Sequence, residues 1–155
     1  MDSFFIFSAT YLFVLSILII SGYFLQQPMH AKKRMVVFAL GSLALTYVVG
    51  LLSGRLYFDP RPFVVGHFTP LIPHAPDNGF PSDHALLVSA IATVGSYWNW
   101  KLGAVLWIIA SIVAVARVYV GVHHPIDVIG SIVIALVATT SVYAFFKYWI
   151  HGEIT

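Results

Sequence analysis

Residues 3–29, SFFIFSATYLFVLSILIISGYFLQQPM, contain no Asp, Glu, Lys, Arg or His. A helix needs about 20 predominantly apolar residues to cross the hydrocarbon core of a bilayer. The same absence of charge recurs over 35–54, 85–100, 102–116 and 128–146. The shorter runs reach spanning length by extending into the polar motifs beside them. The pattern predicts five membrane-spanning helices, at about 4–26, 35–54, 82–99, 102–120 and 126–148. The expected fold class is all-α, a polytopic membrane helix bundle forming a single domain over 1–155.

The composition agrees. Of the 155 residues, 59% are hydrophobic and 9% charged, with a mean hydropathy of +0.89. Soluble domains carry roughly 25% charged residues, and disordered chains are poor in aromatics, which make up 15% here. The pI near 9.0 rests on eight Lys and Arg against six acids, and no nucleic-acid motif accompanies it. No nucleic-acid partner is expected. The absence of cysteine removes disulfides, thiolate nucleophiles and Cys-based metal sites. The first apolar run begins with acidic Asp2, is too long for a signal peptide and lacks a small-residue cleavage site, so it reads as a retained helix. Trp98, Trp100, Tyr148 and Trp149 fall at predicted helix ends, where aromatic rings favour the membrane interface.

Five spans divide the connections between two sides. Residues 27–34, the turn at 99–101 and the C-terminal tail share one side with Lys32, Lys33, Arg34, Lys101 and Lys147. The other side receives 55–81 and 121–125, with only Arg55, Arg61 and Arg117. The Lys/Arg bias places the first side, and the C-terminus, in the cytoplasm. The Lys32-Lys33-Arg34 run reads most simply as a topology determinant. The loop at 55–81, rich in Pro and Phe, reads as fixed and packed.

Nearly all the costly groups gather on the outer side. Arg55, Asp59, Arg61 and His67 follow helix two, and Ser82, Asp83 and His84 open helix three. Arg117 lies near the end of helix four, and His123, His124 and Asp127 lead into helix five. Ionisable residues at a membrane point to function. Arginine forks suit phosphate oxygens. Pro81-Ser82-Asp83-His84 reads as a helix start with Ser82 as N-cap, and helix N-termini attract anions. Pro125 suits the first turn of helix five, putting Asp127 near the imidazoles that precede it. A carboxylate there fixes a tautomer and supports a nucleophile or base. The set is equipped for phosphoryl transfer through a histidine.

Arg61-Pro62, Pro81-Ser82-Asp83-His84, and Arg117 followed by His123 and Asp127 resemble the type 2 phosphatidic acid phosphatase family. Its patterns are Lys-x6-Arg-Pro, Pro-Ser-Gly-His and Ser-Arg-x5-His-x3-Asp. The resemblance implies a metal-independent lipid phosphatase with no cofactor. His123 would be the nucleophile forming a phosphohistidine, and Asp127 would hold its ring. His84 would be the acid for the leaving oxygen and the base for water. Arg61, Arg117 and Ser82 would bind phosphate, and Arg55 and Asp83 join them as candidate substrate-binding residues. Three positions depart from the family: Gly54 where it has Lys, with Arg55 one residue later; Ala116 where it has Ser; and Asp83 where it has Gly. The last, with Val120-Gly121-Val122-His123-His124-Pro125, resembles undecaprenyl-diphosphate phosphatases of the bacitracin-resistance type. Asp83 would either tune His84 or repel misplaced phosphate.

Each residue also has a structural reading. Asp127 could complement a helix N-terminus, Arg117 could be a snorkelling charge, and His124 favours a structural role over catalysis. His67, His74 and Asp77 read as solvated loop residues. The leading expectation is a multi-pass cell-membrane phosphatase of a polyprenyl diphosphate, acting at the extracytoplasmic face, with the bilayer and lipid substrate as its partners and no obligatory protein partner. Phosphatidic acid, phosphatidylglycerophosphate and lipid A are the alternative substrates. A metal-dependent hydrolase using His84, His123, His124 and Asp127 is a second class. A non-enzymatic channel is a third, disfavoured by bare helix centres.

Overall fold

The computed structural model describes residues 1–151, with side chains through Lys147. Its elements are α1 (Asp2–Leu25), α2 (Met29–Leu56), α3 (Pro62–Val65), α4 (Asp83–Trp98), α5 (Trp100–Tyr119) and α6 (Pro125–His151). The one β-bridge, between Pro60 and Asn78, is isolated. The protein is an all-α membrane bundle. Tyr148 and Trp149 lie outside the described side chains.

Four helices, α1, α2, α5 and α6, are long and apolar enough to cross a membrane. α4 is shorter than the span expected at 82–99. Its 16 residues extend about 24 Å at 1.5 Å per residue, less than the roughly 30 Å hydrocarbon core. It is instead the central helix, with nearly every residue from Ala85 to Gly95 buried, and it packs against α1, α2, α5 and α6. α2 starts earlier than expected, at Met29, because 29–34 have good helix formers after Pro28 and wind the basic run into its first turns. The loop at 55–81 also contains the single turn α3, started by Pro62 at its first position.

Exposed side chains such as Leu18, Leu40, Ile108 and Val137 cover the outside, as expected of surface facing lipid. Some hydroxyls within the helices bond back to their own turn, as Thr93 Oγ1 does to Ser89 O (2.7 Å) and Ser111 Oγ to Trp107 O (2.9 Å), while those of Ser8, Ser16, Ser42, Thr46, Ser89 and Thr139 are buried without a partner. In a bilayer such internal bonding replaces the missing water. The α4–α5 hairpin is tight. Asn99 ends α4 and caps α5, its Oδ1 accepting from Lys101 N at 2.9 Å and Leu102 N at 3.1 Å. A Cβ on Gly103 would lie 2.6 Å from Ser96 Cα. Gly103→Val should therefore destabilise the detergent-purified protein by roughly 1–3 kcal/mol, read as a lower thermal unfolding midpoint; an unchanged midpoint would contradict this packing.

Candidate active site

The site lies where the end of α5 and the starts of α4 and α6 meet the 55–81 loop. α5 ends in a turn at Gly121, whose φ of +81° is open chiefly to glycine. A Cβ there would also meet the Phe68 ring at 2.7 Å. This turn carries His123 inward, and only 3% of it is exposed. Arg61 reaches it from the loop and Arg117 from the last turn of α5. Arg61 Nη1 lies 3.3 Å, and Arg117 Nη2 3.4 Å, from His123 Nε2. Both guanidiniums are obligate donors, so Nε2 presents its lone pair and the ring proton belongs on Nδ1. Nδ1 donates to Asp127 Oδ2 at 3.3 Å. Burial above all, with Arg117 and Arg61 adding to it and Asp127 opposing, holds the His123 pKa below its ordinary value. The ring is neutral near pH 7, as a nitrogen nucleophile requires.

Arg61 is itself fixed. Its Nη1 donates to Val122 O at 2.8 Å, its Nη2 to Asn78 O at 3.2 Å and its Nε to Asp77 Oδ1 at 2.7 Å. Burial works against Asp77 ionisation, but the bonded Arg61 guanidinium holds its carboxyl below the usual carboxylate range. Asn78 uses its whole amide: Oδ1 accepts from Asp59 N and Phe80 N, and Nδ2 donates to Gly54 O and Tyr57 O. That amide joins the end of α2 to the loop that carries Arg61's partners.

Ser82 is at the N-cap position of α4 but makes no capping bond. Its Oγ is buried without a partner, beside the free N–H groups of the helix start. Such a place suits an anion's oxygen. The start of α4 is joined to α6 by Ser131 Oγ, whose one proton is shared between Asp127 O (2.7 Å) and Ser82 O (3.0 Å). His84, in the first turn of α4, packs against the Phe13 ring edge at 5.2 Å and stands within electrostatic reach of Arg117, His123 and His74.

Arg55 and Asp83 are placed differently. Both are exposed and line a separate pocket of about 220 Å³ between α2 and the start of α4, to which Arg61, Arg117 and His123 do not contribute. A Cβ on Gly54 would come within 2.9 Å of Phe80 O, so this backbone leaves no room for the lysine of the family pattern. His124 has a structural bond, its Nδ1 lying 2.9 Å from Asp59 Oδ2, while its backbone N donates to Asp127 Oδ2 at 2.8 Å. Asp77 and His74 are not simply solvated. Asp77 holds Arg61, and the half-buried His74 ring is centred 6.2 Å from that of His123.

A model of the family described as PAP2 superfamily matches residues 35–151. The chain belongs to the PAP2 superfamily. It is accordingly a membrane-embedded lipid phosphatase. A Bacillus subtilis (strain 168) protein named undecaprenyl-diphosphatase BcrC is 34% identical over 148 residues, which are 96% of this chain and 75% of that protein. The putative undecaprenyl-diphosphatase YbjG of Escherichia coli K12 is 32% identical over 113 residues, 72% of this chain and 57% of that one. Among solved structures, Aquifex aeolicus LpxE superposes with a TM-score of 0.75 at 25% identity, covering 92% of this chain and 85% of that chain. A PAP2 type phosphatidylglycerolphosphate phosphatase from Bacillus subtilis shares the fold, with a TM-score of 0.61 at 22% identity over 94% of this chain and 74% of that one.

In this PAP2 chain, the ligand atoms of Asp59, His124 and Asp127 lie within 4.8 Å of one another, the one such group among the described residues. His84 and His123, which the metal reading needs, are not in it. Asp59 Oδ2 and His124 Nδ1 face each other, so the group is a hydrogen-bonded brace behind Asp127. Sequence reasoning placed Asp59 in the outer polar cluster without giving it a role, and it missed Asp77, Asn78 and Gly79 as parts of the site. The Asn-Gly pair is a turn signal and was the available clue. A Cβ on Gly79 would lie 2.9 Å from Asp127 Oδ2.

Two outcomes are expected. As expected for a His123 nucleophile, kcat/KM should rise with pH through an acidic limb below the ordinary histidine value of about 6.5. A limb above 7 would contradict the lowered pKa. Asp127→Asn should cut kcat by roughly 10²–10⁴-fold with little change in unfolding temperature; near-wild-type turnover would show that Asp127 does not set the tautomer.

Proposed function

We propose that this phosphatase hydrolyses the terminal phosphate of a polyprenyl diphosphate, undecaprenyl diphosphate to the monophosphate, through a phosphohistidine on His123. The carrying observation is the lone pair of His123 Nε2 between two guanidiniums. In the first step Nε2 attacks the terminal phosphorus, the bond to the bridging oxygen breaks, and His84 protonates the departing oxygen. In the second, His84 takes a proton from water as its oxygen attacks phosphorus, the P–N bond breaks and inorganic phosphate leaves. Arg61, Arg117 and the Ser82 hydroxyl bind the transferring oxygens, where electrostatic stabilisation matters most. Asp127 holds the ring. No step calls for a metal.

The substrate is inferred from the undecaprenyl-diphosphatase relatives and from apolar surface suited to a long tail. An apolar groove of about 260 Å³ lies between α1 and α2 over α4, lined by Leu43, Leu87, Ile91 and Val94 among others. The extracytoplasmic orientation is inferred from charge. The site is formed at the end of α2 and the start of α6, whereas Lys32, Lys33 and Arg34 occupy the first turns of α2, at its other end. On this orientation the C-terminus is cytoplasmic.

The test is phosphate release from undecaprenyl diphosphate by purified protein in excess EDTA, beside phosphatidic acid and the His123→Ala variant. Release from the diphosphate should persist in EDTA and disappear in His123→Ala while the unfolding temperature is kept. Release from phosphatidic acid alone would move the enzyme to glycerolipid substrates. Activity restored only by metal would overturn the mechanism.

A further inference from the structure

We propose that His74 binds the phosphate that is not attacked, and so selects diphosphates over phosphate monoesters. The proposal deepens the reading of His123 as the centre of phosphate hydrolysis and rests on it.

His74 is held in place from both sides. Leu71 N donates to Val120 O at 3.0 Å, and Asp77 is bound to Arg61 Nε. Between these ties the ring stands 6.2 Å from the His123 ring, centre to centre, at 75°. It is also within electrostatic reach of His84. The attacked phosphorus has to lie between His123 as nucleophile and His84 as acid. A group joined through the bridging oxygen therefore emerges beside the third imidazole. A monoester has no use for it: Arg61, Arg117 and the start of α4 already serve the oxygens of one phosphoryl group.

The ring chemistry agrees. His74 Nδ1 faces its own loop, 3.3 Å from Ala75 O and 4.0 Å from Asp77 Oδ1, which leaves Nε2 for a ligand. Burial, then Arg61 and Arg117, push the His74 pKa down, while Ala75 O and Asp77 oppose them. His123, neutral in this scheme, adds no charge, whereas His84 carries the proton that it gives to the departing oxygen and faces the same phosphates. A diphosphate would neutralise both arginines and reverse their effect. The ring would then take up a proton and donate Nε2–H to the second phosphate, a charge-assisted bond.

Titration calorimetry of the full chain in detergent at pH 7.5 tests this without requiring turnover. The probes are methylenediphosphonate, a non-hydrolysable diphosphate, and inorganic phosphate. His74→Ala should weaken diphosphonate binding roughly ten- to hundredfold and leave phosphate binding within about twofold. In buffers of different ionisation enthalpy, the variant should take up one proton fewer than wild type on binding diphosphonate. His74→Gln should regain part of the affinity but not the proton. Equal weakening toward both probes, or no weakening, would overturn the proposal. If the diphosphonate preference holds but wild type releases no phosphate from undecaprenyl diphosphate, the functional reading fails and the diphosphate site stands.

Discussion

Two positive charges converge on one nitrogen of a buried neutral ring, and much of the outer half of the molecule supports that arrangement. Removing an ion from water costs several kcal/mol even after relaxation. Arg61 and Arg117 are 5% and 3% exposed. Arg61 offsets the cost with two carbonyls and one carboxylate. Arg117 has Ala9 O at 3.4 Å, while its Nε is buried without a partner. The pair is thus unequally satisfied. An anion seated between them would offset part of that cost.

The brace behind the ring has the same logic. Asp127 is fully buried, and its Oδ2 serves both His123 Nδ1 and His124 N. Gly79 admits the carboxylate because no Cβ stands in its way, and Asp59, through Gly79 N to Asp59 O at 2.8 Å and through His124, ties the same corner to the end of α2. Rigid backbone from four separate segments therefore fixes one imidazole. Positioning at this level is what lets a phosphoryl-transfer site work largely by electrostatics.

Much of this was legible in the chain. Membrane helices announce themselves by the absence of charge: four uncharged runs are helices of spanning length and the fifth is the shorter α4. The departures have local causes: α4 is short because its neighbours bury it and it need not meet lipid along its length, and α2 is early because 29–34 form helix readily. Arg61, Ser82, His84, Arg117, His123 and Asp127 stood out because their spacing follows a pattern that chemistry constrains. Asp59, His74, Asp77 and Asn78 did not, since each acts through a contact made by the irregular loop. The Arg61–Asp77 pair spans 16 residues of it, and no periodicity encodes such a fold-back. Asn78 is the clearest case, an uncharged amide whose four bonds depend on where the end of α2 arrives.

The departure at Gly54 shows how one backbone contact alters the charge of a site. With Phe80 O so close to position 54, a side chain there would require the loop to move, and the loop carries the Asn78 and Asp77 that orient Arg61. Lysine at this position would therefore disturb this packing of Arg61. Arg55, one residue on, is turned about 100° around the helix by the 3.6-residue repeat, and lines the pocket shared with Asp83. The cradle at His123 consequently has two guanidiniums and no third fixed cation. A diphosphate brings more negative charge than two arginines neutralise, and the His74 ring, centred 6.2 Å from that of His123, is an imidazole able to gain a positive charge. A proton acquired only when the polyanion is present supplies the missing charge without the cost of burying another permanent cation in the empty site.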